Sequence, residues 1–572
     1  MIDRRLRLSR GWLLLLLAIV LILSGIFFAR HAIFRQLGAW TGEEDHWEQV
    51  KGSVALLLLY LTDGFPDTAP YVPVAHAGVN PFGVNTFLEQ EVEPEKVDRA
   101  LVMIADAGFR WIRQEFPWED IEISAKGDFW DHKWDKSAWE KYDRIVELAN
   151  RHGLQIIARL DNPPDWSRAA GAAAGTLAPP DRYEDFGDFV YAVVSRYRGR
   201  IRYYQIWNEP NIYPEWGEQP VNAAEYVALL KVAYTRAKEA DPECMILSAG
   251  LAQTLEKGPR NLDDTIYLQQ MYDAGAKDYF DILGVMAYGL WTGPDDRRVS
   301  ADRTNFARPQ LIREIMVRNG DAGKAIWVTE VGWNALPLDF PDFPMFGRVT
   351  PEQQARYAVR AYARANAEWP WMGVLNYWFF KRPTDTEKDQ AFYYFRLVEP
   401  DFTPLPVYEA LRAYANQPGV LSLGYHQEDH WALQYEGSWR TVSDTAAVLG
   451  AYRLGQPGDR LSFTFSGNEL TLITRAGAGG TLHIALDGRA LPPVHLPQGE
   501  VRYETQVPLA RALRDGTHQV ELVIAAAGDK GVVVDGLLVR RTWDYWTRRG
   551  AVALAALSLL VIGVGVFRRR GR

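Results

Sequence analysis

The stretch "YYQIWNEPNIYPEW", Tyr203–Trp216, begins as an apolar and aromatic run and then stops at Asn208-Glu209-Pro210. A short apolar run of this kind is consistent with a buried strand. The simplest explanation of its end is a polar turn. The alternative is a binding or catalytic site, because ligands of parallel sheets bind at the carboxyl ends of the strands. The rest of the chain decides between the two.

From residue 78 to 415, short apolar runs alternate with helix-like segments, which indicates βα units around a parallel sheet. Eight strand candidates can be read, and they are "FGVNTFL", "RWIRQEF", "LQIIARL", "YYQIWNE", "MILSAGL", "FDILGVMAY", "AIWVTEVGW" and "GVLNYWFF". Eight units in this length predict an α/β fold, a (β/α)₈ TIM barrel. A doubly wound open sheet is the alternative, but no strand–GxGxxG–helix unit is present.

A second carboxylate, Glu330, interrupts the seventh strand candidate between Val328 and Val331. Burying an unpaired carboxylate in a strand core is unfavourable by several kcal/mol, so this Glu needs a function. Strands four and seven of an eight-stranded barrel lie nearly opposite each other, so Glu209 and Glu330 can face one pocket. Two carboxyl groups on either side of a sugar are what glycoside hydrolysis requires.

Over residues 80–410 the chain resembles the clan A retaining (β/α)₈ glycosidases, which include cellulases, β-xylosidases and α-L-iduronidases. The features that carry the resemblance are Asn208-Glu209-Pro210 after strand four and Glu330 in strand seven. The resemblance implies that Glu209 is the general acid/base, that Glu330 is the nucleophile and that Asn208 holds the sugar 2-hydroxyl group. It therefore implies a double-displacement mechanism with retention of configuration.

Further residues match the same pattern. The resemblance implies that Arg113 in "WIRQEFPW" supports the nucleophile, that Tyr288 in "VMAYG" contacts it, and that Trp378 in "LNYWFF" forms the pocket floor. Arg113 alone could also be a structural ion-pair partner. The sequence departs from the pattern at Met286, because many members carry a His two residues before the Tyr. The departure bears on the family and the substrate more than on the reaction.

Three more residues are candidates for substrate binding, each with a structural alternative. Trp166 in "NPPDWS" and Trp333 can stack on sugars or fill the top of the barrel. Asn85, at the end of strand one, can contact substrate or form a turn.

Two other functions use part of this pattern. A non-hydrolytic surface glycan-binding protein would not require a nucleophile opposite an acid, so two glutamates argue against it. A transglycosylase uses the same residues as a hydrolase, and the sequence does not separate these two activities.

After Pro418 the pattern changes to alternating apolar residues that stop at Gly-rich turns, as in "LSFTFSG" and "LHIALDG". This predicts an antiparallel β-sandwich over residues 420–541. The sandwich resembles galactose-binding-like and other carbohydrate-binding modules of glycosidases, which makes it a possible carbohydrate-binding module.

Composition excludes several other classes. The net charge of −9, from 63 Lys and Arg against 72 Asp and Glu, provides no basic field for nucleic acid. The sequence contains no His or Cys cluster at metal-ligand spacing and no Gly-rich phosphate loop, so we expect no metal, nucleotide or other cofactor. Aromatic residues make up 13% of the chain, with 21 Trp, which suits an oligo- or polysaccharide substrate as well as a large core.

Two charge-free segments, Gly11–Ala29 and Gly550–Phe567, are long enough to cross a bilayer. Residues 1–10 and the last residues of the chain are rich in Arg, which predicts that both termini are cytoplasmic. A cleaved signal peptide is the alternative for the first segment, but "FFARHAIF" is a poor cleavage site. Residues 30–77 are then a juxtamembrane connector, and the catalytic domain lies on the extracytoplasmic side of the cell membrane.

Overall fold

The computed structural model describes residues 29–528 and 531–542. These residues form two compact units, one of residues 29–64 with 295–298, the other of residues 65–294 with the rest. The described residues include no helix that is both long and apolar enough to cross a membrane. Apart from Ala29, the two predicted spans lie outside the described residues, as do the predicted cytoplasmic segments.

The smaller unit is helical. Residues 29–41 form one helix, and α1 (His46–Thr62) follows it. The carboxylate of Asp45 caps α1 by accepting hydrogen bonds from the N–H groups of Trp47 and Glu48, at 2.8 and 3.0 Å. Arg298 donates to Asp296 and Glu43, at 2.8 and 2.7 Å.

The larger unit contains a barrel of eight parallel strands. They are β1 (Phe82–Thr86), β2 (Trp111–Glu115), β3 (Gln155–Leu160), β4 (Tyr203–Ile206), β5 (Met245–Leu247), β6 (Leu283–Met286), β7 (Ile326–Val331) and β8 (Met372–Tyr377). Each strand pairs in parallel with its neighbours, and β1 pairs with β8. Between β5 and β6 the sheet is continued by two bridges, Leu247 to Ile282 and Leu251 to Val285. All eight strand candidates contain a barrel strand, so the predicted barrel is confirmed.

Helices surround this sheet. They are α2 (Pro94–Asp106), α3 (Trp118–Ile121), α4 (Glu140–Arg151), α5 (Tyr183–Tyr197), α6 (Ala223–Ala240), α7 (Asp264–Asp273), α8 (Pro309–Arg318), α9 (Pro351–Glu368) and α10 (Pro406–Ala415). Helix α9 begins at a strong start signal, because Thr350 and Gln353 form a capping box and Pro351 occupies the first turn. The apolar side chains of these strands and helices form one core. The polar residues at the strand ends are therefore exceptions to an otherwise apolar pattern.

A sheet-rich domain follows the barrel, as predicted. Its strands are β9 (Val420–Leu421), β10 (Gly424–Gln427), β11 (Gln434–Glu436), β12 (Arg440–Ser443), β13 (Ala451–Gly455), β14 (Arg460–Gly467), β15 (Glu469–Leu486), β16 (Arg489–Ala490), β17 (Val494–Ala510), β18 (Gly516–Ala527), β19 (Val532–Val534) and β20 (Gly536–Arg540). Strands β12, β13 and β19 form a three-stranded sheet, and the other nine form a second sheet. Val534 of the small sheet packs in the same core as Leu461 and Leu522 of the large one.

The sheet-rich domain contacts the amino-terminal end of the barrel. The N–H of Trp431 donates to the carbonyl of Gly78, just before β1, at 2.8 Å. The Trp431 ring meets Phe82 edge-on, with ring centroids 6.4 Å apart. His426 and His430 are buried beside this contact, with ring centroids 4.9 Å apart. The carboxyl ends of the barrel strands, at the opposite end, are therefore not covered by this domain.

The two buried histidines predict a pH-dependent stability of the sheet-rich domain. Burial lowers the pKa of His426 to about 4, and burial together with His426 lowers the pKa of His430 well below its usual value. As the pH falls below about 6.5, the unfolded chain takes up protons that the folded chain does not, so the free energy of unfolding decreases down to about pH 4. We expect His426→Gln to remove up to about 3 kcal/mol of this decrease. Urea unfolding between pH 7 and pH 4.5 measures it.

The exposed His132 provides the matched control. His132→Gln should keep the pH dependence of the wild type. Equal pH dependence of His426→Gln and the wild type would contradict the prediction.

Candidate active site

The sequence-predicted residues converge at the carboxyl end of the barrel. The structure places Asn85 in β1, Arg113 in β2, Glu330 in β7, and Asn208, Glu209, Tyr288 and Trp378 in the segments directly after β4, β6 and β8. Hydrogen bonds connect Asn85, Arg113, Asn208, Tyr288 and Glu330 directly. Five residues that are far apart in sequence therefore form one polar network.

Two side chains donate hydrogen bonds to the Glu330 carboxylate, one from β2 and one from the segment after β6. Arg113 Nη1 donates to Glu330 Oε1 at 2.9 Å, and Tyr288 Oη donates to Glu330 Oε2 at 2.6 Å. Both of its oxygens are thus fixed, and the carboxylate is only 5% exposed. A guanidinium and a phenol hydroxyl stabilise an ionised carboxylate. Burial and then the neighbouring Glu330 raise the pKa of Tyr288 well above its usual value, so Tyr288 remains a donor.

Arg113 is the centre of the network. Besides Glu330, it donates from Nη1 to Asn85 Oδ1 at 2.7 Å, from Nε to Gln205 Oε1 at 2.7 Å and from Nη2 to Asn208 Oδ1 at 2.8 Å. The guanidinium is buried, and burial lowers its pKa below the usual value although Glu330 opposes this. The contact between Arg113 and Asn85 gives Asn85 a structural function, that of orienting the guanidinium.

The turn after β4 has an unusual backbone. Trp207 and Glu209 adopt φ angles of +69° and +40°, a region that residues other than glycine rarely occupy. Backbone hydrogen bonds hold the turn, from Trp207 N–H to the Leu160 carbonyl at 3.0 Å and from Glu209 N–H to the Gly250 carbonyl at 3.1 Å. Such conformations concentrate at functional sites, where the surrounding structure imposes them. The strand thus ends in a constrained turn rather than a simple polar one.

Glu209 has a different environment from Glu330. Burial, and then the nearby carboxylates Glu330 and Glu215, raise its pKa well above the usual value, against the opposite effect of Arg113 and Arg159. In the described part of the chain, no side chain donates a hydrogen bond to its carboxyl group. Glu209 is therefore the carboxyl group of the pair that is favoured in its protonated form.

The sequence did not predict a second set of charged residues, which lies around Glu209 and Glu330. Arg159 Nη2 lies 2.6 Å from Glu115 Oε2, and Arg159 Nε lies 2.9 Å from Asp161 Oδ2. Glu215 lies near both Arg159 and Asn208, which oppose the rise of its pKa. Burial raises the pKa of both Asp161 and Glu215. The signal in the sequence was the charged ends of strands two and three, "RQEF" and "ARLDN", where apolar residues would be expected.

The three predicted tryptophans have different surroundings. Trp378, after β8, is partly exposed and joined to Phe379 by a cis peptide bond. Trp166 is partly exposed, and its Nε1 donates to the Glu122 carbonyl at 2.9 Å. Trp333 is completely buried, and its Nε1 donates to the Thr292 carbonyl at 2.8 Å. Of the two alternatives for Trp333, filling the barrel top is the one that agrees with this burial, since no face of the ring is open to a sugar.

Met286 occupies a closed position. It is 2% exposed, and its sulfur accepts a weak hydrogen bond from the Thr329 hydroxyl at 3.4 Å. Across residues 29–528 and 531–542, no group of three or more His, Cys, Asp or Glu side chains is arranged to hold a metal ion. The side chains that the network brings together at Glu330 are a guanidinium and a phenol, and Glu209 is the second carboxyl group nearby.

Comparison with known proteins gives the class of enzyme to which the barrel belongs. Residues 72–335 match the family model for cellulase, glycosyl hydrolase family 5. The barrel is a glycoside hydrolase domain. The glycosidase activity and the clan A resemblance expected from the sequence are confirmed.

Several solved structures are similar to this chain at low identity. A family 39 glycoside hydrolase from the gut symbiont Bacteroides cellulosilyticus WH2 is 18% identical, with 79% of this chain and 83% of that chain covered and a TM-score of 0.46. A monomeric β-xylosidase from Caulobacter crescentus CB15 is 12% identical, with 80% and 98% covered and a TM-score of 0.41. The exo-β-1,4-mannosidase Op5Man5 from Opitutaceae bacterium strain TAV5 is 16% identical, with 62% and 64% covered and a TM-score of 0.42. No curated protein matches the sequence.

The charged layer predicts a large effect of removing Arg159. Arg159→Leu leaves Glu115 and Asp161 buried without their cation, so we expect a loss of about 3 kcal/mol in the free energy of unfolding at pH 7. Urea unfolding at pH 7 measures this loss.

Arg151→Leu is the matched control, because Arg151 pairs with Glu147 at 2.7 Å on the exposed surface of α4. Its effect should stay within about 0.5 kcal/mol. Similar effects of the two substitutions would contradict the assigned function of Arg159.

Proposed function

We propose that this glycoside hydrolase is a retaining enzyme, with Glu330 as nucleophile and Glu209 as general acid/base. The observation that supports the proposal is the difference between the two carboxyl groups. Glu330 is fixed by Arg113 and Tyr288 in a form suited to an ionised carboxylate, whereas Glu209 has no such donors and a raised pKa. Opposite environments of this kind separate the acid from the base in two-carboxyl enzymes.

In the first step, a Glu330 oxygen attacks the anomeric carbon and forms the glycosyl–enzyme bond. The bond from that carbon to the leaving oxygen breaks as the Glu209 proton moves to the leaving oxygen. In the second step, the Glu209 carboxylate takes a proton from water. The resulting oxygen attacks the anomeric carbon and releases Glu330.

Asn208 and Arg113 prepare these steps. The Oδ1 of Asn208 accepts a hydrogen bond from Arg113, so the donors that Asn208 can offer to a hydroxyl group of the bound sugar are its amide N–H groups. We propose that Asn208 holds the sugar 2-hydroxyl group and that Trp378 forms the floor of the sugar pocket. Arg113 and Tyr288 position the nucleophile. The substrate class that we propose for the site is an oligo- or polysaccharide.

Two substitutions distinguish the two carboxyl functions. Glu330→Gln should abolish formation of the glycosyl–enzyme, with a loss in kcat of at least about 1000-fold, because the amide is not a nucleophile. Glu209→Gln should lose turnover on natural glycosides but keep the first step on aryl glycosides with activated leaving groups, which need little protonation. Burst kinetics on dinitrophenyl glycosides measure the first step separately.

Stereochemistry provides the independent readout. Early products followed by NMR should have the same anomeric configuration as the substrate. An inverted product, or near-normal activity of both variants, would contradict the double-displacement proposal.

We also propose that the chain is anchored in the cell membrane by Gly11–Ala29 and Gly550–Phe567, with both termini cytoplasmic and the barrel extracytoplasmic. The charge-free length of both segments and the flanking Arg residues support it. Helix α1 adds support, because Val54, Leu58 and Leu61 are 41, 56 and 69% exposed at helical spacing. Exposed apolar residues along one helix face are typical of interfacial helices.

Protease protection tests this topology. Protease added to intact spheroplasts should digest the barrel and leave epitope tags before residue 1 and after residue 572 protected. Permeabilised spheroplasts, in which both tags should be digested, are the control. A tag digested in intact spheroplasts, or a mature chain beginning after residue 29, would contradict the double anchor without affecting the glycosidase assignment.

A further inference from the structure

One polar side chain lies inside the fourth barrel strand, where the neighbouring residues are apolar or aromatic. It belongs to Gln205 in β4, and it is completely buried. A buried amide is unfavourable unless its oxygen and its N–H groups find partners. The proposed mechanism gives Gln205 no step, so the partners of its amide indicate what this residue does.

The Gln205 amide connects the Arg113 side chain to the turn that carries Glu209. Its Oε1 accepts a hydrogen bond from Arg113 Nε at 2.7 Å, and its Nε2 donates to the backbone carbonyl of Trp207 at 2.8 Å. A flipped amide would point its N–H groups at the Arg113 donor, so the two partners select one orientation of the Gln205 side chain.

These two bonds are part of a closed ring. Asn208 follows Trp207 in the chain, and its Oδ1 accepts a hydrogen bond from Arg113 Nη2 at 2.8 Å. A planar guanidinium presents its donors in a fixed geometry, so it holds the Gln205 and Asn208 oxygens in fixed relative positions. The ring therefore fixes the peptide group between Trp207 and Asn208, directly before Glu209.

The turn requires such support because its backbone is strained. Trp207 and Glu209 have φ angles of +69° and +40°, which cost free energy in residues other than glycine. Backbone hydrogen bonds fix the N–H groups of both residues, and Gln205 fixes the Trp207 carbonyl. Without the Gln205 donor, we expect this peptide group to rotate and the Glu209 side chain to move with it.

The uncharged amide of Gln205 also leaves the charge of Arg113 to the nucleophile. Arg113 donates to three uncharged amide oxygens, those of Asn85, Gln205 and Asn208. Its fourth acceptor is the Glu330 carboxylate, at 2.9 Å. Through space, Arg159 lowers and Asp161 raises the pKa of Arg113, so these two neighbours act in opposite directions. Gln205 thus satisfies an Arg113 donor without placing a second carboxylate against the guanidinium.

We propose that Gln205 is a positioning residue of the hydrolysis, which holds the nucleophile and the acid/base in one geometry and keeps the charge of Arg113 for Glu330. It acts on Glu330 through Arg113, and on Glu209 through the Trp207 carbonyl. The proposal rests on the function proposed above for the two glutamates and adds the side chain that links them. Because Gln205 is completely buried, it acts through its neighbours and not by contact with the sugar.

Gln205→Leu tests the positioning function, because Leu is of similar size and makes neither hydrogen bond. In the full-length protein, kcat should fall roughly 10-fold to 100-fold while KM changes by less than about threefold, since the carboxyl groups are displaced and the sugar contacts remain. The fall should appear on aryl glycosides with activated and with poor leaving groups, because both carboxyl groups are affected. A kcat within about twofold of the wild type would overturn the proposal.

Gln205→Glu separates positioning from a purely structural function. Glu keeps the acceptor for Arg113 and adds a second carboxylate, which the hydrogen bond from Arg113 Nε keeps ionised. The added charge disfavours ionisation of nearby carboxyl groups, so the pH profile of kcat/KM should move to higher pH by about 0.5 to 1 unit. A structural function would leave this profile in place, so an unchanged profile would overturn the proposal.

Gln354→Leu is the matched control. Gln354 is 2% exposed, and its Nε2 donates to the Trp333 and Tyr394 carbonyls at 2.8 and 3.0 Å. Gln354→Leu should lower the temperature of thermal unfolding, as Gln205→Leu does, and keep the kcat and the pH profile of the wild type. An equal fall in kcat in both Leu variants would overturn the proposal. Failure of the proposed function is seen separately, as residual aryl-glycoside hydrolysis by Glu330→Gln.

Discussion

The arrangement at the carboxyl ends of the barrel strands depends on one constraint, the buried guanidinium of Arg113. A cation that is 3% exposed is stable only if its donors are satisfied, and Arg113 takes its acceptors from Asn85, Gln205, Asn208 and Glu330. These acceptors come from β1, β4, the turn after β4, and β7. Arg113 itself lies in β2. Its hydrogen bonds therefore fix the ends of β1, β2, β4 and β7 relative to one another, and they fix the direction in which the Glu330 side chain points.

The rest of the site is shaped by an excess of buried carboxyl groups. Glu115, Asp161, Glu209, Glu215 and Glu330 are balanced by only two nearby guanidinium groups, Arg113 and Arg159. Because the cations cannot neutralise every carboxylate, at least one carboxyl group is favoured in its neutral form. Arg113 and Tyr288 hold Glu330, so Glu209 is the group for which protonation relieves the repulsion. Position alone thus raises the pKa of Glu209, through burial and the neighbouring carboxyl groups.

The sequence was sufficient for the barrel and the sheet-rich domain, because these depend on periodicity. It also singled out Glu209 and Glu330 as rare residues at strand ends, and their catalytic function stays a prediction. It was not sufficient for Glu215, Asp161 and Arg159, whose function depends on distances across the barrel mouth. It also left Asn85 and Trp333 open. In the structure Asn85 Oδ1 accepts a hydrogen bond from Arg113 and Trp333 is buried, and the function of both residues in substrate binding stays a prediction. The predicted membrane spans fall outside the described residues and remain predictions.

The sheet-rich domain lies away from the carboxyl ends of the barrel strands, where the candidate active site is. Its contact through Trp431 lies at the amino-terminal end of the barrel, beside Gly78 and Phe82. This contact buries the apolar residues of that end and leaves the opposite mouth open.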